Sequence, residues 1–250
     1  MTEAFSPFRK PPAQANRSLQ TGFDVLMIVI SAGRPIGCRD VADELGINAT
    51  KANRLLGTLA SMGLIVQSLG RKYEPGPGLH VFAAMSLRGS RLLKVALPEL
   101  RTLSTSTGLT AALGTLWHGR VCYLYHGKAT GPLEDAMGSH SLYPAAQSSI
   151  GRLLLAGMPA ESAREAIADQ EVGSDYHDMD ALIADLPRLR QQGYALRDQD
   201  DRSLAVPIGD QPAFAGIALA GQLADAEIPG LVSRLAPAAA RIAERLAQRP

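Results

Sequence analysis

The stretch RDVADELGINATKANRLLGTLASMG, residues 39–63, constrains the chain more than any other. Its apolar positions fit two short helices joined by a tight turn. Val41, Ala42 and Leu45 make one stripe over about a turn and a half of helix. Gly37 and Asp40 occupy the N-cap and N3 positions ahead of it, a capping box with glycine in the cap. Gly46 tolerates the left-handed backbone of a sharp reversal, and Ile47 can anchor the turn. Asn48 then caps a second helix whose buried stripe is Ala52, Leu55, Leu56 and Leu59. Left outside are Ala49, Thr50, Lys51, Asn53, Arg54 and Thr58. Hydroxyls, amides and cations on one helix face are the groups that reach phosphates and base edges in a major groove. A merely solvated helix hairpin has the same outer face.

The flanks add weight. Residues 19–31 (LQTGFDVLMIVIS) read as an apolar helix able to cover the pair. Residues 63–67 and 73–75 read as two short strands around 68–72, a hairpin tipped by Arg71 and Lys72. Helix, helix-turn-helix and basic hairpin in that order compose a winged helix. From Asn48 to Lys72 the cations Lys51, Arg54, Arg71 and Lys72 meet no Asp or Glu, which suits a phosphate surface. The candidate DNA contacts are Asn48, Thr50, Lys51, Asn53 and Arg54 on the second helix, with Arg71 and Lys72 on the wing.

At 250 residues the chain can hold two domains with cores of their own. A net charge of +1 says nothing for nucleic acid, and its distribution only slightly more: residues 1–75 carry nine Lys/Arg against six Asp/Glu. Residues 1–17, polar and proline-containing, do not read as a signal peptide, and the longest apolar run, 25–30, is too short for a bilayer. Cys38 and Cys122 fall in different expected domains, so free thiols in a reducing cytoplasm are expected.

Residues 1–16 are expected to be a disordered arm. The winged helix spans 17–76 and ends at Pro75-Gly76-Pro77-Gly78. A linker follows over 77–90, helical at 79–87, whose outer surface (Val81, Phe82, Met85) a partner helix from a second subunit would cover. The second domain spans 91–248. It opens with a helix over 91–107, with Leu93, Leu97, Leu100 and Leu103 on one side. Strands at 109–117 and 120–126 flank the hairpin signal His118-Gly119, and Val121, Tyr123 and Tyr125 alternate against Cys122, Leu124 and His126. Helices at 150–156, 160–168 and 179–192, strands at 193–197, 203–208 and 214–221, and a closing helix over 225–248 interrupted by Pro229 and Pro237 complete it. Helices bracketing an antiparallel sheet make an α+β domain.

Signals for chemistry are sparse. His80, His118, His126, His140 and His177 are scattered, and only Cys122 and His126 could share a strand face. Zinc needs three or four converging ligands, so no metal site is expected. Gly76-Pro77-Gly78 lacks the strand-to-helix context of a phosphate loop, and no cofactor is expected. The nearest match to a nucleophile elbow is Gln147-Ser148-Ser149-Ile150-Gly151, which two serines capping a helix also explain.

In this order the segments resemble the IclR family of bacterial transcriptional regulators, from about residue 18 to residue 247. LGINATKANRLLGTL at 45–59 is similar to the family's LGLPKSTVHRLLATL recognition segment, and Met62-Gly63-Leu64-Ile65 continues it into the wing. Val121-Cys122-Tyr123-Leu124 resembles its VVYL strand, YPAAQSSIGRLLLA at 143–156 its LPLHATALGKALLA segment, and Gln192-Gly193-Tyr194-Ala195 its RGYAV turn. The resemblance implies a winged helix, a linker helix and a GAF-like effector-binding domain, assembled as homodimers or homotetramers on palindromic double-stranded operators. It further implies an effector cavity walled by Tyr143, Ser148, Ser149, Ile150, Ser203, Ala218 and Ala220. There the start of a helix, with free N–H groups, would receive a carboxylate.

Departures from the family pattern bear on the ligand. Ala218 and Ala220 stand where members that bind small keto acids place serines, and Tyr125 and His126 replace the customary Asp-Lys. Ala146 replaces a His, and Arg197 replaces the acid after the RGYAV turn. Fewer hydroxyls and more aromatic surface favour a larger, partly apolar organic acid. Arg197 either pairs with its carboxylate or with Asp198 or Asp200 at the surface. The expected function is a cytoplasmic regulator, not an enzyme, whose small-molecule effector controls operator binding, as in a repressor or an activator. Two other readings stay open. In one the second domain only oligomerises; in the other Ser148 or Ser149 serves a hydrolase with His126 or His140.

Overall fold

The computed structural model describes residues 14–128, 130–131, 142–198 and 202–248. The chain divides into two compact units that change over between Ser90 and Arg91. Residues 1–13 of the expected arm lie outside the described residues. Asn16 does not belong to an arm: its side chain accepts the Leu19 N–H at 3.1 Å and caps the first helix.

That helix, α1 (Arg17–Ser31), lays Val25, Leu26 and Val29 against α2 (Cys38–Glu44) and α3 (Ala49–Ser61). Asp40 accepts the Gly37 N–H at 3.1 Å, the half of the capping box that a glycine cap allows. Asn48 Oδ1 accepts the Lys51 N–H at 2.8 Å and sets the start of α3. Ala52, Leu56 and Leu59 are buried as expected, with Leu55 half-buried. The wing is β2 (Ile65–Ser68) paired antiparallel with β3 (Lys72–Pro75). A third strand, β1 (Ile36–Gly37), joins β3 on its other edge; two residues are too few to leave an alternation in the sequence. Helix α4 (Pro77–Gly89) follows, with Pro77 in its first turn, where no backbone N–H is needed. None of its residues is buried, and Val81, Phe82 and Met85 are each more than half exposed.

The second unit is a six-stranded antiparallel sheet between two helical layers. The strands are β4 (Thr110–Trp117), β5 (Arg120–Gly127), β6 (Tyr143–Pro144), β7 (Ala195–Arg197), β8 (Arg202–Pro207) and β9 (Ala215–Gly221), in the order β6-β5-β4-β9-β8-β7. His118 and Gly119 both take positive φ, the geometry of a two-residue hairpin turn matched to strand twist. On one face α5 (Arg91–Thr107) and α9 (Ile228–Ala247) bury Leu93, Leu100, Leu103, Leu235 and Ile242. Ala96 joins the α5 stripe, and Leu97, half-buried, packs against the same core. On the other face lie α6 (Ser149–Leu155), α7 (Ala160–Ala166) and α8 (Met179–Gln192), with Ile150, Leu153, Leu154 and Leu182 fully buried.

Two expectations need correction here. The closing helix is not interrupted by its prolines. Pro229 sits in its first turn, preceded by a short 3-10 turn (Asp225–Glu227), and the helix runs on through Pro237. Strand β5 also does not alternate strictly. Leu113 pairs with Tyr125 but Gly114 pairs with Tyr123, so Leu124 is an extra, bulged residue. The bulge keeps Val121, Tyr123 and His126 on the α6 side and turns Tyr125 into the core against α5 and α9. Cys122 and His126 therefore do not share a face.

Candidate functional site

The first candidate surface is the outer face of α3 with the wing. Thr50, Asn53 and Arg54 are exposed and Lys51 is half-buried, all on the side away from Ala52, Leu56 and Leu59. Asn48 is exposed, although its carbonyl oxygen is committed to the helix cap. Arg71 and Lys72 are exposed at the wing. Thr58 turns its hydroxyl back to the Arg54 carbonyl at 2.9 Å.

The second is a cleft of about 590 Å³ between the sheet and the chain entering α6. The sheet contributes Ala112, Tyr123, His126, Tyr143, Ser203, Ala218 and Ala220; the opposite wall is Gln147, Ser148 and Ser149. Arg197 and Lys128 also line it, and among its described lining residues there is no Asp or Glu. Hydroxyls pair across the floor. Tyr123 Oη lies 2.9 Å from Ser148 Oγ, and Ser203 Oγ donates to Ser149 Oγ at 2.9 Å. The Tyr123 ring meets His126 and Tyr143 edge-on, at centroid distances of 5.5 and 6.3 Å. Burial raises the Tyr123 phenol above its ordinary range, partly offset by the Ser148 bond.

Comparison with known proteins identifies both domains. Residues 18–69 match the IclR helix-turn-helix domain, and residues 84–243 match the bacterial transcriptional regulator IclR C-terminal domain. The chain belongs to the IclR family. Among curated IclR-type relatives it is 28% identical over 248 residues to the HTH-type transcriptional regulator BhcR of Paracoccus denitrificans, covering 93% of this chain and 88% of BhcR. An IclR family regulator from Brucella abortus shares its fold with a TM-score of 0.75 at 23% identity, covering 92% of this chain and 93% of that one. An IclR homologue from Microbacterium hydrocarbonoxydans, solved with 4-hydroxybenzoate, superposes with a TM-score of 0.65 at 22% identity, covering 92% and 98%.

Within this IclR-type domain the cleft brings together His126, Tyr143, Ser148, Ser149, Arg197, Ser203, Ala218 and Ala220. Two expected members lie elsewhere. Tyr125 is buried on the opposite face because of the Leu124 bulge. Ile150, the second residue of α6, points into the sheet and packs against Gly114 and Gly216. The start of α6 is also not wholly open, because Ser148 Oγ accepts the Gly151 N–H at 3.1 Å. Asp198 pairs with Arg202 at 2.7 Å. Asp200 and His140 lie outside the described residues. Among the described residues no group of three His, Cys, Asp or Glu could hold a metal ion, and no helix is long and apolar enough to cross a membrane.

Sequence reasoning missed Tyr123, Lys128 and Gln147 as lining residues, and it missed Arg152. Arg152 is fully buried in α6. Its Nε donates to the Ala146 carbonyl at 2.7 Å, a second nitrogen to Val172 O at 3.2 Å, and the third pairs with Asp175. The other Asp175 oxygen accepts the Asp198 N–H at 3.2 Å. One buried ion pair thus ties the turn bearing Gln147 and Ser148 to the residue after Arg197.

Tyr176 lies over the Arg152 guanidinium, 4.8 Å from ring centroid to Cζ. Burial, and then the hydrogen bond it donates to Asp185 at 2.6 Å, push its phenol up to about 12. The folded chain therefore holds this proton more tightly than the unfolded chain, where a phenol titrates near ~10. The resulting stability is intact below about pH 10 and is lost as pH rises toward 12. Melting temperatures of the native chain should fall more steeply than those of Tyr176→Phe across that window; parallel curves would contradict the assignment.

Proposed function

We propose that this IclR-type DNA-binding transcriptional regulator is controlled by an organic acid bound in the cleft of its second unit. The observation that carries this reading is the charge and shape of the cleft. Arg197 and Lys128 line it beside an apolar patch of Ala112, Ala218 and Ala220. A carboxylate would sit by Arg197, where a guanidinium can bind both of its oxygens. An aromatic or acyl body would lie against the alanines and between Tyr123 and Tyr143. The Microbacterium homologue, solved with a hydroxylated aromatic acid, supports that class. Lys51, Asn53 and Arg54 read the operator from α3, and Arg71 and Lys72 hold the backbone from the wing, with Asn48 and Thr50 at the start of α3. The exposed face of α4 packs against a second copy, which makes the protein a homodimer or tetramer on a palindromic operator in the cytoplasm.

Two observations favour this over the alternatives. A domain used only for assembly has no need of an open cationic cleft. Against a hydrolase, Ser148 is engaged by Tyr123 and Gly151, and Ser149 by Ser203. Ala218→Leu is the direct test. In a cleft the added methylenes occupy ligand space, so the variant keeps operator binding but loses the rise in melting temperature that a panel of aromatic and acyl carboxylates, 4-hydroxybenzoate included, gives the native chain. If the site is instead a packed core, the same change overpacks it, costs about 1–3 kcal/mol and leaves any ligand shift untouched.

A further inference from the structure

The wing carries a feature that phosphate binding does not use. Leu69, at the tip of the β2–β3 hairpin, is 98% exposed. It is the most exposed large apolar side chain among the described residues. Ser68 pairs with Lys72, so Leu69, Gly70 and Arg71 alone make the turn. Gly70 has φ 81° and Arg71 φ 60°. Arg71 holds a left-handed backbone that a residue with a Cβ seldom adopts, and the Leu69 side chain stands outward beside it. Beside Leu69 the surface is lined by Arg34, Pro35, Ser68, Lys72 and Glu74, and Arg71 is exposed next to it. Three cations against one carboxylate surround an isolated apolar side chain.

That combination fits the minor groove of DNA. Its phosphates attract the cations, and apolar side chains inserted there part adjacent base pairs and kink the duplex. We propose that Leu69 is an apolar wedge. This rests on the operator-binding reading above: with α3 in a major groove, the wing enters the neighbouring minor groove, Arg34, Arg71 and Lys72 bind its two backbones, and Leu69 opens one base step. The operator is therefore bent, and bases that α3 never touches matter, because flexible pyrimidine–purine steps kink more cheaply than stiff A-tracts.

The test uses the full chain and duplexes selected by it from random DNA, with 2-aminopurine placed step by step in the flanks of the selected motif. The native chain should bend these duplexes in a circular-permutation gel and raise 2-aminopurine fluorescence at one flanking step. Leu69→Ser should abolish both signals and weaken binding about ten- to a hundredfold, the scale of burying one leucine, with the melting temperature of the free protein unchanged. Leu69→Met, which keeps an apolar reach, should retain the bend. Three results would overturn the proposal: unbent DNA with the native chain, a Leu69→Ser variant that bends it equally, or a Leu69→Ser variant whose DNA-free stability or sedimentation changes. The last would make the tip a protein contact.

Discussion

Replacing Arg152 with methionine is expected to destabilise the second unit by about 3–5 kcal/mol, the range for removing one partner of a buried ion pair. The side chain is fully buried, and its loss strands Asp175 together with the Ala146 and Val172 carbonyls. Urea denaturation followed by circular dichroism measures it. The double change Arg152→Met with Asp175→Leu should recover much of the loss, because no charge is then left buried without a partner. A single variant within about 1 kcal/mol of the native chain would mean that water replaces the guanidinium at little cost. Ligand binding should weaken as well, since the same ion pair fixes the Gln147–Ser149 wall and the end of β7.

The other large effect is on DNA. Asn53→Ala and Arg54→Ala should each weaken operator binding by about 1–3 kcal/mol, the value of a good base contact. Both residues are exposed on α3 and neither contributes to its core, so thermal stability should hold. Titrations on operator and unrelated DNA at several salt concentrations separate their roles. A base contact weakens the operator selectively; a phosphate contact weakens all sequences alike and lowers the salt slope by about one. Unchanged affinity in both variants would remove α3 from the groove.

The helix starts were legible because capping is local chemistry. Asn48 and Ser148 each reach a backbone N–H three residues on, and such spacings can be read directly from the chain. Most of the cleft was legible only through family resemblance, since its residues come from strands and loops far apart in sequence. Tyr125 was misplaced because period-two alternation has no term for an extra residue, and nothing in VCYLYH announces the Leu124 bulge. Ile150 was misplaced because the resemblance carries over the whole start of α6, whereas its second residue faces the sheet. Arg152 left no signal. A lone arginine between Gly151 and Leu153 reads as a solvent-facing helical cation until a partner as distant as Asp175 is seen beside it.

The Leu124 bulge also bears on how such a domain can diversify. Leu124 is supernumerary in the ladder, so removing it would leave a regular strand with Tyr123 and His126 still on the cleft side and Tyr125 still in the core. Loss of Leu124 gives up the packing of one half-buried side chain but keeps every other residue of β5 on its own face. A length change elsewhere in β5 would send core side chains into the cleft and cleft side chains into the core. Substitution at Tyr123 and His126 therefore changes the lining of the cleft, and a change of length at Leu124 leaves both residues in it.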